Sequence, residues 1–369
     1  MLQRSALLLI ALATLAAAAA QVPPKVTYPP TPWPIKNGSV DLHHFRFETG
    51  ETLPDLHLHY LTLGTPRRDA QGRTTNAVLL LHGTGGNAYT LLNPVFSNVL
   101  FGPGQPLDIT KYFLILPDDI GMGESSKPSD GLRMRFPRYT YDDMVRSQHQ
   151  MLVDGLHVNH LRLVLGTSMG CMQSFVWGEM YPSFVDALMP LACEPIAIAG
   201  RNRAWRYMAM KSIRDDPAWD NGNYSSEPVE GLRGAADMLL IAVSAPQHWR
   251  TDYPTRQQVK TFIDRTQDAI VAHTDADDFL YYFDASRDYN PEPKLRSITA
   301  YVMWVNSADD FINPPEIDDM FAEKLIHQVP HGRFVLIPAS MQTWGHGTHT
   351  HAAVWKQYLI QLLQESSKQ

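Results

Sequence analysis

The segment that most constrains the fold is an apolar run ending in a serine between two glycines. Residues 163–165 lead into Gly166-Thr-Ser-Met-Gly170, and a stretch of helical character follows. This pattern predicts a strand, a tight turn and a helix, with the Ser168 hydroxyl exposed above the positive end of the helix. Glycine is expected at positions 166 and 170 because the two backbones pass so close that a β-carbon would collide.

Apolar runs of strand length recur along the chain and alternate with stretches of helical spacing. Runs of alternating polarity at 40–47 and 56–63 predict an antiparallel pair of strands. Continuous apolar runs predict strands buried on both faces at 77–81, 112–116, 161–165, 187–191, 300–305 and 333–337. Helices are predicted at 141–156, 316–326 and 350–364. This order predicts an α/β fold with a mostly parallel sheet, helices on both faces, and ligands at the carboxyl ends of the strands.

Residues 199–292 lack strand-like runs and consist of helix-forming stretches rich in Trp, Met and Tyr. We interpret this segment as a helical cap inserted into a core formed by residues 40–198 and 293–369. The alternative is an independent domain, but the sheet is incomplete without strands from both sides of the segment. Large apolar side chains of the cap are expected either to line a pocket or simply to pack: Trp205, Tyr207, Met208, Met210, Trp219, Trp249, Tyr281 and Tyr282.

The first twenty residues have the composition of a cleaved signal peptide. Arg4 precedes an almost wholly small or apolar run that ends in Ala18-Ala19-Ala20. This run is shorter than the ~20 residues that a membrane span requires, so we expect export to the medium or the periplasm without a stable anchor. A proline-rich arm is predicted at 21–39. The net charge of −7, without a basic block, disfavours nucleic acid and anionic membranes as partners.

The chain contains two cysteines, Cys171 and Cys193. Both are predicted to lie near the same edge of the parallel sheet, and an oxidising compartment permits a disulfide between them. Small buried hydrophobic side chains are the other interpretation. The sequence favours this second interpretation without deciding between the two.

Candidate partners for Ser168 follow it in the chain. A serine hydroxyl is a weak nucleophile and needs an adjacent base, and after such a turn the order is serine, acid, histidine. The loop after strand 300–305 offers Asp309 and Asp310. We favour Asp310, which precedes Pro314 by four residues, and expect Asp309 to be a solvated turn residue. His346, between two glycines after the last strand, is the predicted base.

The loop after strand 77–81 is expected to supply a hydrogen-bond donor. Acyl transfer requires N–H groups for the tetrahedral oxyanion, and the Met169 and Thr84 backbones are the candidates. A phosphate-binding loop is the alternative, but the glycine pattern that it requires is missing. His346, His349 and His351 have metal-ligand spacing, yet a metal site would leave the serine turn unexplained. We therefore predict neither metal nor cofactor, and place His349 and His351 at a helix start.

Several motifs together resemble one family. They are the segment Phe136–Gln148 with its Tyr-Asp-Asp-Met-Val, the turn Gly166–Gly170 followed by Met172-Gln173, and Trp177 with Tyr181-Pro182. From residue 56 to residue 363 the chain resembles the α/β-hydrolase superfamily and, within it, the homoserine O-acetyltransferase-like family. The resemblance implies a capped sheet, a Ser–Asp–His triad, an acyl-enzyme intermediate and, often, a homodimer formed through the cap.

One departure from that family bears on the substrate. Its acetyltransferases commonly carry an aspartate after the catalytic histidine, which anchors the amino group of homoserine, whereas this chain has Gly347. Acyl-CoA donors are also cytosolic, whereas an exported chain would not meet them. We therefore predict an exported serine hydrolase that cleaves small-molecule carboxylic esters. An O-acyltransferase with an acceptor other than homoserine is the alternative, and a non-catalytic binding protein is disfavoured because every triad residue is present.

Overall fold

The computed structural model describes residues 31–367. Within this range the chain forms eight strands: β1 (Lys36–Arg46), β2 (Thr52–Leu63), β3 (Ala77–Leu81), β4 (Phe113–Pro117), β5 (Leu163–Thr167), β6 (Ala187–Leu191), β7 (Tyr301–Ser307) and β8 (Gly332–Ile337). They form one sheet in the order β1-β2-β4-β3-β5-β6-β7-β8. β2 runs antiparallel to both β1 and β4, and all other neighbours are parallel. The predicted α/β fold with a mostly parallel sheet is thereby confirmed.

Helices cover both faces of the sheet. The helices of the core are α1 (Pro94–Leu100), α2 (Tyr141–Gln150), α3 (Met169–Met180), α9 (Pro315–Ile326) and α10 (Ala352–Glu365). Alternate side chains of β3 point to opposite faces. Val78 and Leu80 belong to the core cluster that contains α1 and α10, whereas Leu79 and Leu81 belong to the cluster that contains α2, α3 and α9. Burial on both faces explains why this strand is a continuous apolar run.

Five helices lie between β6 and β7: α4 (Gly200–Asp215), α5 (Val229–Ala242), α6 (Pro246–Asp252), α7 (Arg256–His273) and α8 (Ala276–Asp284). Near the start of α8 three carboxyls are shielded from water. Burial raises the pKa of Asp277 to about 6, that of Asp278 to about 8 and that of Glu227 to about 7. No helix within residues 31–367 is long and apolar enough to cross a membrane.

The N-terminal predictions fall mostly outside the described residues. The expected signal peptide at 1–20 and most of the proline-rich arm at 21–39 lie there. β1 begins at Lys36, four residues before the predicted start of the strand, because Lys36 to Ser39 pair with Thr62 to His59 of β2.

Cys171 and Cys193 form a disulfide, so the free buried thiols favoured from the sequence are wrong. Cys171 lies in the first turn of α3, and Cys193 follows β6. Because β5 and β6 are neighbours, the helix after β5 and the loop after β6 meet at one edge of the sheet. Their Cα atoms are 5.8 Å apart, a usual separation for a disulfide.

Candidate active site

Ser168 occupies a strained turn between β5 and α3. Its φ of 54° and ψ of −107° are unusual for a residue with a β-carbon, and its N–H donates to Leu191 O at 2.8 Å. A β-carbon at Gly166 would collide with the Gly170 carbonyl, and one at Gly170 would collide with the Leu81 carbonyl of β3. Both glycines are therefore required by the close approach of backbones, which is what holds the serine at the tip of the turn.

Ser168, His346 and Asp310 are joined by two hydrogen bonds. The Ser168 hydroxyl lies 2.8 Å from His346 Nε2, and His346 Nδ1 lies 2.8 Å from Asp310 Oδ2. Because a carboxylate only accepts, Nδ1 carries the proton and Nε2 accepts from the serine. His346 is 4% exposed and Asp310 is 2% exposed, so the two interactions are shielded from bulk water.

The Asp310 carboxylate is held by the loop that carries it. Oδ1 accepts from the Ile312 N–H at 2.8 Å and the Asn313 N–H at 3.2 Å. Oδ2 accepts from Asn313 Nδ2 at 3.0 Å, and the same amide group donates to Ala192 O at 2.9 Å, after β6. These donors orient the oxygen that faces His346.

Asp309, expected to be a solvated turn residue, is instead half-buried and hydrogen-bonded. It accepts from Ser307, from Thr343, from the Gly345 N–H and from Gln247 of α6. Burial by itself would raise the pKa of the Asp309 carboxyl, but these hydrogen bonds lower it below its ordinary value. The expectation was wrong because three of the four donors come from segments distant in the chain, namely helix α6 and the loop before His346.

The two predicted oxyanion donors lie beside Ser168. A β-carbon on Gly83 would be 3.4 Å from Ser168 Cβ, so the loop that carries Thr84 passes next to the serine. Met169 is the first residue of α3, where N–H groups lack intrahelical acceptors. The Gly170 N–H is already bonded to His82 O at 3.1 Å. Their role as oxyanion donors stays a prediction.

A buried network lies beneath this loop and joins several of the family-like motif residues. Gln173 Nε2 donates to Asp119 Oδ2 at 2.8 Å, Gln148 donates to Asp119 Oδ1, and Trp177 Nε1 donates to Gln148 Oε1 at 2.7 Å. The Asp119 N–H donates to His82 Nε2 at 3.3 Å. Burial raises the pKa of the Asp119 carboxyl, although His82 and the glutamines act against it. The motif thus supports the site without contacting its reacting atoms.

Two cavities meet at Ser168 and His346. The larger, about 620 Å³, lies between residues 192–202 and 312–317 and is bounded by Met172 and Phe321. The smaller, about 210 Å³, is walled by the Gly83-Thr84 loop and by apolar side chains of core and cap: Leu91, Phe96, Trp205, Leu239, Val243 and Phe283. Of the eight large residues of segment 199–292 considered as pocket candidates, Trp205 lines the smaller cavity, whereas Tyr207 and Met208 are exposed at 56% and 48%.

Arg206 of α4 lines both cavities and was not anticipated from the sequence. Its side chain is 3% exposed, its Nε donates to Asn202 at 2.9 Å, and its guanidinium lies 4.9 Å from the Trp205 ring centroid. Within residues 31–367 no carboxylate forms an ion pair with it, and burial lowers its pKa. A buried cation without a carboxylate partner provides a place for an anionic or strongly polar group of a ligand. Arg206 is one of several basic residues in α4, among them Arg201 and Arg203, and nothing in the sequence distinguished it from them.

The histidines after His346 do not form a metal site. His349 lies in the 3-10 turn Gly347–Thr350, with its ring centroid 5.1 Å from that of His346. Burial, together with His346 and His351, lowers the pKa of His349 well below its ordinary value. No group of three His, Cys, Asp or Glu side chains in the part of the chain that the structure describes could hold a metal ion.

Comparison with known proteins places the chain in a family. The model of the alpha/beta hydrolase fold family matches residues 76–341, and the chain belongs to this family. The homoserine O-acetyltransferase of Methanohalophilus mahii is 28% identical over 304 residues, which cover 74% of this chain and 62% of that enzyme. The chain thus spans less than two thirds of the length of this relative, and it is a distant homologue of the homoserine O-acetyltransferases.

Solved structures share the fold across nearly the whole chain. The homoserine O-acetyltransferase from Bacillus anthracis matches with a TM-score of 0.76 and 22% identity, covering 89% of this chain and 97% of that chain. The acetyl esterase MekB matches with a TM-score of 0.77 and 22% identity, over the same shares. One architecture therefore occurs in a protein named as a transferase and in one named as an esterase.

Proposed function

We propose that the chain is a serine esterase that cleaves small-molecule carboxylic esters through an acyl-enzyme intermediate. The observation that carries the proposal is the pair of 2.8 Å hydrogen bonds from Ser168 to His346 and from His346 to Asp310. Such an arrangement activates a serine for attack on an acyl carbonyl. The two cavities that share Ser168 and His346 in their linings have room for the two halves of an ester.

The proposed reaction follows from the proton positions. Ser168 Oγ attacks the acyl carbon while His346 Nε2 takes the hydroxyl proton, and Asp310 stabilises the imidazolium. The Met169 and Thr84 N–H groups stabilise the oxyanion. His346 then protonates the alcohol oxygen, which leaves. Water, deprotonated by His346, attacks the acyl-enzyme, and the carboxylic acid departs as the proton returns to Ser168.

An O-acyltransferase with an acceptor other than homoserine is the second candidate. The distant relationship to homoserine O-acetyltransferases favours it, as does the buried Arg206 cation at the site. Gly347 weighs against homoserine itself, since an aspartate there is what anchors the amino group in that family. A β-carbon at Gly347 would meet its nearest neighbour, Trp344 Cβ, at 3.7 Å, so a side chain has room at its root. The space around Gly347 therefore does not explain why this chain lacks the aspartate of the acetyltransferases.

One experiment distinguishes the two candidates. The mature protein is incubated with p-nitrophenyl acetate, and with acetyl-CoA in the presence and absence of candidate alcohol acceptors. The esterase proposal expects nitrophenol release without an acceptor, and loss of at least about 10³-fold of this activity in Ser168→Ala and in His346→Ala. Release of CoA that depends on an acceptor, together with negligible ester hydrolysis, would favour the transferase. Full activity in Ser168→Ala would refute both.

We propose further that the protein is exported, to the medium or the periplasm. The signal-like sequence at 1–20 and the Cys171–Cys193 disulfide support this, since disulfides persist in oxidising compartments. Mass spectrometry of the exported fraction is expected to find a mature N-terminus at Gln21. Intact Met1 on protein recovered only from the cytosol would contradict it.

The homodimer through the cap also stays a prediction, which light scattering of the purified protein would test.

A further inference from the structure

Asp309 is adjacent to the triad acid, yet its carboxylate is directed to other segments. Oδ2 accepts from Gln247 Nε2 at 2.7 Å, from Thr343 Oγ1 at 2.8 Å and from the Gly345 N–H at 2.9 Å. One carboxylate oxygen therefore joins the loop after β7, the loop before His346 and cap helix α6. No cationic side chain forms an ion pair with Asp309 within residues 31–367, so neutral donors alone satisfy it.

The residue before His346 is confined on two sides. Gly345 has a φ of 57°, and a β-carbon there would lie 2.6 Å from the Ser244 carbonyl of the cap and 3.4 Å from the Asp309 carbonyl. Its N–H donates to the Asp309 carboxylate. The backbone that carries His346 thus passes through a narrow gap between the cap and the loop after β7, and glycine is required there by both φ and space.

Helix α6 also contacts the two residues before that gap. His248 Nε2 lies 2.8 Å from Thr343 O, to which it donates. The His248 ring stacks on the Trp344 ring, with centroids 3.6 Å apart and planes 8° apart. Together with the Gln247–Asp309 hydrogen bond, these contacts attach one short cap helix to residues 343–345.

We propose that Asp309 is a positioning residue for His346, and that α6 is the clamp through which the cap sets the position of this base. The inference rests on the proposed function, because it takes His346 as the general base. Asp309 acts through the Gly345 backbone and does not contact the reacting atoms. His346 has to hold Ser168 and Asp310 simultaneously, and a misplacement of about 1 Å can reduce the rate on the order of 100-fold.

The test compares variants of Asp309 with a matched control. Asp309→Ala removes the acceptor of all its hydrogen bonds, and Asp309→Asn keeps one acceptor oxygen. Gln247→Ala removes the donor that α6 supplies to Asp309, with its longer contact to Ser340 O, and leaves the contacts of His248 in place. Asp108→Ala is the control, because Asp108 also accepts several loop donors, from Gly104 and Thr110, in the loop before β4 at the opposite edge of the sheet. Measurements are kcat, KM and the pH profile with p-nitrophenyl acetate, the rate at which a fluorophosphonate labels Ser168, and urea unfolding.

Asp309→Ala is expected to lower kcat and the labelling rate about 10- to 100-fold with KM changed less than about twofold. The pH profile of kcat should also differ from that of wild type, because the geometry between His346 and Asp310 is altered. Asp309→Asn should fall between Ala and wild type, and Gln247→Ala should lose about threefold in kcat. Asp108→Ala should be less stable but keep the wild-type kcat and pH profile.

The outcomes separate this proposal from the proposed function. A wild-type protein that neither hydrolyses the ester nor labels at Ser168 would refute the proposed function. An active wild type with wild-type kcat and pH profile in Asp309→Ala would refute the positioning role alone. If Asp309→Ala does not fold, the test rests on Asp309→Asn. A wild-type pH profile of kcat in Asp309→Asn would overturn the proposal, and so would a loss of kcat in Asp108→Ala equal to that in Asp309→Asn.

Discussion

Removal of the disulfide is expected to destabilise the fold by about 3 kcal/mol. The perturbation is the double variant Cys171→Ala/Cys193→Ala. The two residues are separated by 22 positions. Closing a loop of about this length lowers the entropy of the unfolded chain by an amount worth about 3 kcal/mol at 25 °C. Both side chains are buried, so the alanines also leave a small void, which adds to the loss.

Urea unfolding, followed by both tryptophan fluorescence and circular dichroism, measures this free energy. Coincident transitions by the two probes are required, because a large capped fold can unfold in more than one step. Oxidised wild type is expected to unfold at higher urea concentration than the double variant. Reduced wild type, kept in excess reductant, should approach the variant.

As a control, reductant should not change the urea unfolding of the double variant, because this variant contains no cysteine. A variant within about 0.5 kcal/mol of oxidised wild type would refute the reasoning, since that is the size of an ordinary surface substitution. A wild type that is insensitive to reductant even when unfolded would show that the two sulfurs are not bonded. Activity should change mainly in KM, because Cys193 lines the larger cavity rather than the oxyanion loop.

Three other perturbations test separate parts of the structure. Gly166→Ala should lower the free energy of unfolding and should lower kcat by about 10-fold or more, because a β-carbon there would collide with the Gly170 carbonyl at the serine turn. Urea unfolding and nitrophenol release measure the two effects. Between about pH 4 and pH 8 the folded wild type keeps a proton on Asp278 that the unfolded chain releases, so its stability falls as the pH rises. Asp278→Asn should reduce the slope of this fall by up to about 1.4 kcal/mol per pH unit. Unfolding at pH 5, 6.5 and 8 measures it, and an unchanged slope would contradict the raised pKa. Arg206→Met should leave neutral esters nearly unaffected but reduce kcat/KM for carboxylate-bearing esters about tenfold. Equal effects on both ester classes would exclude an anion-binding role for Arg206.

The sheet could be predicted from the sequence because the burial of its central strands determines their composition. β3 and β6 have the predicted bounds, since burial on both faces makes every residue of a short strand apolar. The serine turn was predictable for a different reason. Its two glycines are fixed by backbone collisions that any sequence with this strand–turn–helix geometry has to avoid. In both cases the cause lies within a few residues of the pattern.

Features that depend on distant segments could not be read in the same way. Asp309 resembled a turn residue because its donors from residues 247, 343 and 345 are remote in the chain. The disulfide was not favoured from the sequence because a shared edge of the sheet, although predicted for Cys171 and Cys193, does not fix the distance between two side chains. Arg206 lay in an aromatic, helix-forming stretch in which nothing distinguishes a residue that faces a cavity from one that faces the cap interior.

If the proposed positioning role of Asp309 is right, the contacts of α6 couple the inserted helices to the position of His346, the proposed base. Ser168 and Asp310 follow strands β5 and β7 of the sheet, whereas the helices inserted between β6 and β7 supply much of the wall of the smaller cavity, including Trp205 and Arg206. If the cap touched only the substrate, changes in it would alter KM and specificity but leave the triad untouched. Because α6 bonds to Asp309 and stacks on Trp344, the proposal expects that a displaced α6 also moves the backbone before His346. Substitutions that displace α6, none of whose residues lines either cavity, should therefore lower kcat even for small esters.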